Sequence, residues 1–152
     1  MDDTKYPLSG ACRCGRLTVE ITAAPIMTAA CHCRGCQRMS ASAFSLTAMV
    51  PPSAFRVVTG EPVRGGIKGP QLDHSFCPYC MTWMFTRISG VDDFLNVRPT
   101  MFDDPRLSRP FIETMTSARL PWATTPAVHS YETFPPPEDY ARLLAEFAAG
   151  WG

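Results

Sequence analysis

The sequence predicts a mainly β fold of short strands, closed by one C-terminal helix and stabilised by zinc. Three observations carry that expectation. Short segments alternate apolar and polar residues with a period of two. Fifteen prolines spread along 152 residues argue against long helices. Seven cysteines fall into three tight clusters at metal-ligand spacings.

The first strand expected runs from Arg16 to Ile21, with Leu17, Val19 and Ile21 on one side and Arg16, Thr18 and Glu20 on the other. Cys12 and Cys14 precede it in a turn flanked by Gly10 and Gly15. Cys31 to Cys36 belong to a connection between strands. Phe44, Leu46, Ala48 and Val50 repeat the alternation up to Pro51-Pro52, and Phe55 to Val58 form a further strand that ends at Thr59-Gly60. Phe94 to Val97 read as a later strand, and Asp103-Asp104-Pro105 as a turn. Glu138 to Ala149 place Tyr140, Leu143, Leu144 and Phe147 on one helical stripe, after Pro135-Pro136-Pro137 and before Gly150.

At 45% hydrophobic and 18% charged, a chain of this length suits one domain with its own core. We expect a single domain over residues 1–152, with its core in 10–134 and its helix at about 138–149. Fourteen Lys and Arg balance fourteen Asp and Glu without forming a basic stripe, so nucleic acid is not an expected partner. No apolar run approaches the ~20 residues that cross a bilayer. The opening Met1-Asp2-Asp3-Thr4-Lys5-Tyr6-Pro7 lacks the basic and apolar regions of a signal peptide. A cytoplasmic protein without a membrane partner is the expectation.

In a reducing compartment, clustered cysteines bind metal or do redox work more often than they form disulfides. Cysteines acting as small buried hydrophobes would be scattered along apolar runs; here all seven sit in Cys12-x-Cys14, Cys31-His32-Cys33-x-x-Cys36 and Cys77-x-x-Cys80. Cys77 and Cys80 supply two thiolates to one ion, and Cys12 with Cys14 supply the economical second pair, giving a four-cysteine structural zinc. Cys31, Cys33 and Cys36 then make three ligands with no fourth Cys. Three protein ligands and one open position is the arrangement of a catalytic zinc. His32 is the rival fourth ligand, but its two neighbours are ligands and its side chain is expected to point away. His74 and His129 are expected to be satisfied surface or core histidines, and a thioredoxin-type redox reading lacks the βαβ unit it needs.

The order Gly10-x-Cys12-x-Cys14-Gly15, Cys31-His32-Cys33-x-x-Cys36-x-Arg38, Phe76-Cys77-x-x-Cys80 resembles the glutathione-dependent formaldehyde-activating family, related to the centromere protein V domain. The match runs from about Gly10 to Trp122, supported by Phe55 to Glu61, Asp103-Asp104-Pro105 and Pro121-Trp122. The resemblance implies a beta-tent (Mss4-like) fold of short antiparallel strands and a carbon-sulfur lyase that joins glutathione to formaldehyde. It also implies two Zn2+ per chain: a structural ion on Cys12, Cys14, Cys77 and Cys80, and a catalytic ion on Cys31, Cys33 and Cys36. Two positions depart from the family pattern. Met81-Thr82 stands where relatives usually carry Gly-Thr. Glu113 stands where relatives often carry His, and in a pocket its carboxylate would disfavour an anionic ligand such as glutathione.

Zn2+ on three thiolates has a formal charge of −1, which blunts its action on water and favours a soft thiolate as fourth ligand. A small thiol, with glutathione as the implied example, is therefore the expected partner, its sulfur held close to a carbonyl carbon. Arg34 and Arg38 flank the cluster and are candidates to stabilise a developing alkoxide or the carboxylates of that thiol. Trp122, Phe44 and Trp83 are candidates for a pocket wall or for the core. The alternative class is a noncatalytic β module that uses both zincs for stability and offers a surface to a protein partner. An open zinc position favours the lyase, because a purely structural site closes its coordination.

Overall fold

The structure is a computed structural model that describes residues 4–150. Met1 to Asp3, part of the segment read above for a leader, and Trp151-Gly152 lie outside the described residues. The chain forms β1 (Leu8–Ala11), β2 (Thr18–Ile21), β3 (Met27–Cys31), α1 (Arg34–Ser40), β4 (Ser45–Val50) and β5 (Phe55–Thr59). There follow β6 (Val63–Gly65), β7 (Leu72–Phe76), β8 (Trp83–Ile88) and β9 (Leu95–Val97). Short strands β10 (Ile112–Thr114) and β11 (His129–Ser130) precede α2 (Tyr140–Ala148).

The strands make two sheets, one of three in the order β1-β2-β5 and one of eight in the order β11-β10-β3-β4-β9-β8-β7-β6. The fold is thus mainly β with short strands and a C-terminal helix, as the alternation and prolines predict. The pairing is not antiparallel throughout, because β10 runs parallel to both β3 and β11. β10 reaches β3 from β9 through a long connection containing two 3-10 turns, which lets it return in the same direction as β3.

The main core lies between the sheets. Leu17, Val19 and Ile21 are fully buried and meet Ala48, Val50, Leu95 and Val97 from the inner face of the large sheet. Each such aliphatic side chain stabilises the fold by ~1.5–3 kcal/mol. A second cluster forms where α2 packs on β3, with Leu143 and Phe147 buried against Met27, Phe111 and Ile112. Tyr140 and Leu144 pack on its edge, so the stripe expected from the sequence is the face that docks.

The strand expected at Arg16 begins at Thr18, and the alternating run expected from Phe44 begins at Ser45. The segment 31–36 is more ordered than a plain connection. Cys31 ends β3, Cys33 caps α1 by accepting the Cys36 amide on its Sγ, and Cys36 lies inside the helix. At seven residues, with Gly35 near its start, α1 is too short to leave a period in the sequence.

Candidate metal centre

The turn from β1 to β2 carries Cys12 and Cys14, and it closes by the Gly15 amide bonding the Cys12 carbonyl at 3.0 Å. Gly15 has a φ of +79°, a conformation that costs a side chain strain. The turn from β7 to β8 carries Cys77 and Cys80 and closes by the Met81 amide on the Cys77 carbonyl at 3.0 Å. Pairing within each sheet brings the two turns together, so that the four sulfurs all lie within 4.8 Å of one another. Cys12 to Cys14 is 3.5 Å and Cys14 to Cys77 is 3.8 Å between sulfurs. Zinc bonds of ~2.3 Å at tetrahedral angles set sulfurs about 3.8 Å apart, whereas a disulfide needs ~2.05 Å. The four thiols fit a metal ion and are not disulfide-bonded. The Thr82 hydroxyl, 3.1 Å from the Cys80 sulfur, is the leading cause that holds that thiol down to about 5.

The second cluster sits where β3 meets α1. Cys31, Cys33 and Cys36 are each half-buried, and their sulfurs lie within the same mutual limit. The Cys36 thiol is the leading influence that lowers Cys31 to about 5, and Cys31 in turn pushes Cys36 far above the usual thiol range. Anionic sulfurs crowded in this way are relieved by a bound cation. Among the described residues, no His, Asp or Glu joins either group.

The three-thiol cluster forms part of the wall of a cavity of about 320 Å³ on the outer face of the large sheet. Strand parity selects its lining. From β3 come Met27, Ala29 and Cys31; from β4, Ser45, Thr47 and Met49. The partners β9, β8 and β7 contribute Asn96, Thr86, Ile88 and His74, while Phe134 and Tyr140 border the cavity from the C-terminal segment. The alternation at Leu46, Ala48 and Val50 marks the opposite face, of which Ala48 and Val50 are buried in the main core.

Arg98 also lines this cavity and was not anticipated from the sequence. It follows β9, is 8% exposed, and its guanidinium carbon lies 4.1 Å from the centre of the Trp83 ring. The Trp83 indole N–H donates to Thr86 Oγ1 at 3.0 Å, fixing that ring, and Thr86 Oγ1 also bonds His74 Nδ1 at 2.8 Å. Burial lowers Arg98 to about 10 against the opposing pull of Cys36 and Cys31, so it is a cation at neutral pH. Burial is also the leading cause that lowers His74, followed by the charge of Arg98, so its imidazole is neutral.

The sequence-based candidates for substrate contact lie elsewhere. Arg34 and Arg38 are exposed on α1, one turn apart, and Arg34 bonds the side chain of Gln37 instead of facing the cavity. Trp122 is 72% exposed in the loop before β11, so it is neither pocket wall nor core. Trp83 does line the cavity, while Phe44 packs edge-on against His32 with centroids 5.4 Å apart.

Glu113 is not a pocket residue. Ile112 and Thr114 take the cavity side of β10, which turns Glu113 to the opposite face, where it is 4% exposed. There it accepts from His32 Nε2 at 3.0 Å, Thr125 Oγ1 at 2.7 Å, Ser130 Oγ at 2.8 Å and Arg119 Nη1 at 3.2 Å. Burial opposes its ionisation, but these donors overcome it and hold the carboxyl below its ordinary range. The same bond turns the fully buried His32 away from the thiols, as its place between ligands suggested. His74 is buried with Thr86 as partner, and His129 bonds Glu146 on α2 at 3.0 Å.

No helix among the described residues is long and apolar enough to cross a membrane. A family model described as glutathione-dependent formaldehyde-activating enzyme matches residues 7–118. Among solved structures, the chain is similar to a Rhodobacter sphaeroides protein determined in a structural genomics programme. That likeness has a TM-score of 0.50 and 20% identity, covers 64% of this chain and 89% of the other, and bears on the fold alone. No curated protein sequence matches the chain.

Proposed function

The chain belongs to the glutathione-dependent formaldehyde-activating enzyme family, and from that premise we propose that it is a zinc-dependent carbon-sulfur lyase acting on a small thiol adduct. The observation that carries this reading is the convergence of Cys31, Cys33 and Cys36 at the wall of a cavity, with no fourth ligand beside them among the described residues. Glutathione and formaldehyde, which would give S-hydroxymethylglutathione, are the reactants the family description suggests.

In this reading Cys12, Cys14, Cys77 and Cys80 hold a structural zinc, and Cys31, Cys33 and Cys36 hold the catalytic one. A zinc held by these three thiols would supply Lewis acidity and a soft centre suited to sulfur. The apolar lining excludes water and confines both reactants, so proximity supplies much of the rate. In the synthetic direction the sulfur lone pair forms the new carbon-sulfur bond, the carbonyl π pair moves to oxygen, and the thiol proton ends on that oxygen. The reverse direction breaks the same bond and returns the proton to sulfur. His74, kept neutral by burial, is the imidazole in the lining that is suited to carry that proton.

The test is metal content per chain combined with zinc-edge X-ray absorption. Two zincs are expected, one bound by four sulfurs and one by three sulfurs with an exogenous fourth ligand. A second zinc closed by four protein ligands, or no zinc on Cys31, Cys33 and Cys36, would refute the proposal and favour the noncatalytic module.

A further inference from the structure

The cavity contains one charged side chain that the lyase reading does not use. Arg98 is more than nine-tenths buried, and its Nε has no hydrogen-bond partner. Its side chain makes no ion pair with a carboxylate among the described residues; it packs on the face of Trp83. Leaving a buried guanidinium unpaired is costly, and structures keep such a group where a ligand completes it. The described residues that line the cavity include no Asp or Glu, so the groups in the wall that draw on that cation are the thiols Cys31 and Cys36.

The remainder of the wall is mostly apolar. Met27, Met49, Ile88, Phe94, Ile112 and Phe134 offer no partner to a polar group, while Ser45, Thr47, Asn96 and Thr114 are scattered neutral groups among them that carry no charge. Glutathione brings two carboxylates, one ammonium and two peptide units. One guanidinium can satisfy one of those carboxylates, but the described lining holds no second cation for the other and no Asp or Glu for the ammonium, so burying both of those charges is unfavourable. A thiol with an apolar body and a single carboxylate matches the inventory, because its sulfur, skeleton and anion each meet a complementary surface.

We propose that Arg98 is the specificity residue of this cavity and that it selects thiols carrying one carboxylate on an apolar skeleton over glutathione. The proposal rests on the open three-thiol site described above and deepens it. A planar guanidinium fixed on an indole face can take a carboxylate through two parallel N–H bonds, which a lysine cannot reproduce. The competing role for Arg98 is to offset the negative charge of the metal-bound thiolates. That role strengthens every thiol equally and leaves no preference for a carboxylate.

The test loads the chain with Co2+ and follows the sulfur-to-cobalt charge-transfer band during titration with 6-mercaptohexanoate, 6-mercaptohexan-1-ol and glutathione at one ionic strength. We expect the carboxylate to bind about tenfold or more tighter than the alcohol, as a charge-assisted bond to a buried partner should, and glutathione to bind more weakly than 6-mercaptohexanoate. Arg98→Gln should bring the carboxylate-to-alcohol ratio near one, and Arg98→Lys should restore part of it. If Arg98→Gln does not fold, the wild-type ratio and the lysine variant still decide. Thiols that bind without a carboxylate preference, a ratio unchanged in Arg98→Gln, or glutathione binding tightest would overturn this inference and leave the open site standing. No response to any thiol would overturn the open-site reading, and the inference with it.

Discussion

The two cysteine clusters should separate on mutation, because they constrain very different lengths of chain. Cys14 and Cys77 are 63 residues apart and meet at 3.8 Å, whereas Cys31, Cys33 and Cys36 all lie at one strand-to-helix junction. An ion on the first cluster closes a long loop of the unfolded chain; an ion on the second closes a loop of about five residues. Loop-closure entropy grows as (3/2)RT ln n, so this difference alone is worth about 2 kcal/mol. Cys77 is also completely buried in the main core, where a serine hydroxyl adds a desolvation cost of ~1–3 kcal/mol. Cys77→Ser should therefore lower Tm by roughly 6–20 °C more than Cys36→Ser, at ~2–4 °C per kcal/mol for a chain of this size. The assay is calorimetry of both variants with metal analysis before and after treatment with a chelator. Each variant should lose about one metal, and the chelator should shrink the gap to the residual cost of the buried hydroxyl. Equal Tm losses in the metal-loaded proteins would refute the division into a long-range staple and a local site.

Three more outcomes follow from particular side chains. Glu113→Ala leaves the buried His32 without its acceptor and should cost about 1–3 kcal/mol in denaturant unfolding, while thiol affinity at the cobalt site stays within about twofold; a larger affinity change would place Glu113 in substrate binding. Met81 has a φ of +58° and is 54% exposed, so Met81→Gly should relieve ~1–2 kcal/mol of strain against ~0.5–1 kcal/mol of added chain entropy. A slightly raised denaturation midpoint checks it, and a lowered one contradicts it. Hydrogen bonds from the Arg106 side chain and amide hold Asp104 below the ordinary carboxylate range. Its folded value lies below its unfolded value, so its contribution is complete above the unfolded value and fades as pH falls through the folded one. Asp104→Asn should therefore be less stable than wild type at pH 6, with the two converging in acid; a gap that persists below pH 2 would mean that charge plays no part.

What could be read from the sequence was whatever depends on local spacing. Cysteines two or three residues apart on a turn can point at one ion whatever the fold, so the three clusters were legible; the pairing of Cys12 and Cys14 with Cys77 and Cys80 followed from their number, and it is the sheets that bring those turns together. β2 and α2 were legible because each has one buried face and one open face. β3 and β8 left little alternation, because β3 is covered by core on one side and cavity on the other, and β8 buries Met84, Phe85 and Thr86 in succession. Arg98 was hidden among fourteen basic residues, with only a faint sign of its position. Phe94, Asn96 and Arg98 alternate with the buried Leu95 and Val97, which puts the arginine on the same sheet face as Asn96. The side of the sheet on which a cavity forms depends on how distant strands pair, and no local pattern encodes that.

That pairing also decides which residues can serve the site. Ala29, Ala30 and Cys31 stand opposite Ile112, Glu113 and Thr114, so one parity faces the cavity and the other faces away. His32 continues the register past the end of β3, its amide bonding the Thr114 carbonyl at 3.0 Å. It falls on the Glu113 side and is captured there. A histidine flanked by two candidate ligands is thus turned away from the thiols by strand parity, with Glu113 as its anchor. In the proposed zinc site the fourth position would be left to whatever enters the cavity. A one-residue slip of β3 against β10 would exchange the two faces, turning His32 towards the cavity and Cys31 away from it. The carboxylate that would have disfavoured an anionic ligand in a pocket lies outside the cavity and instead holds His32 away from the three thiols.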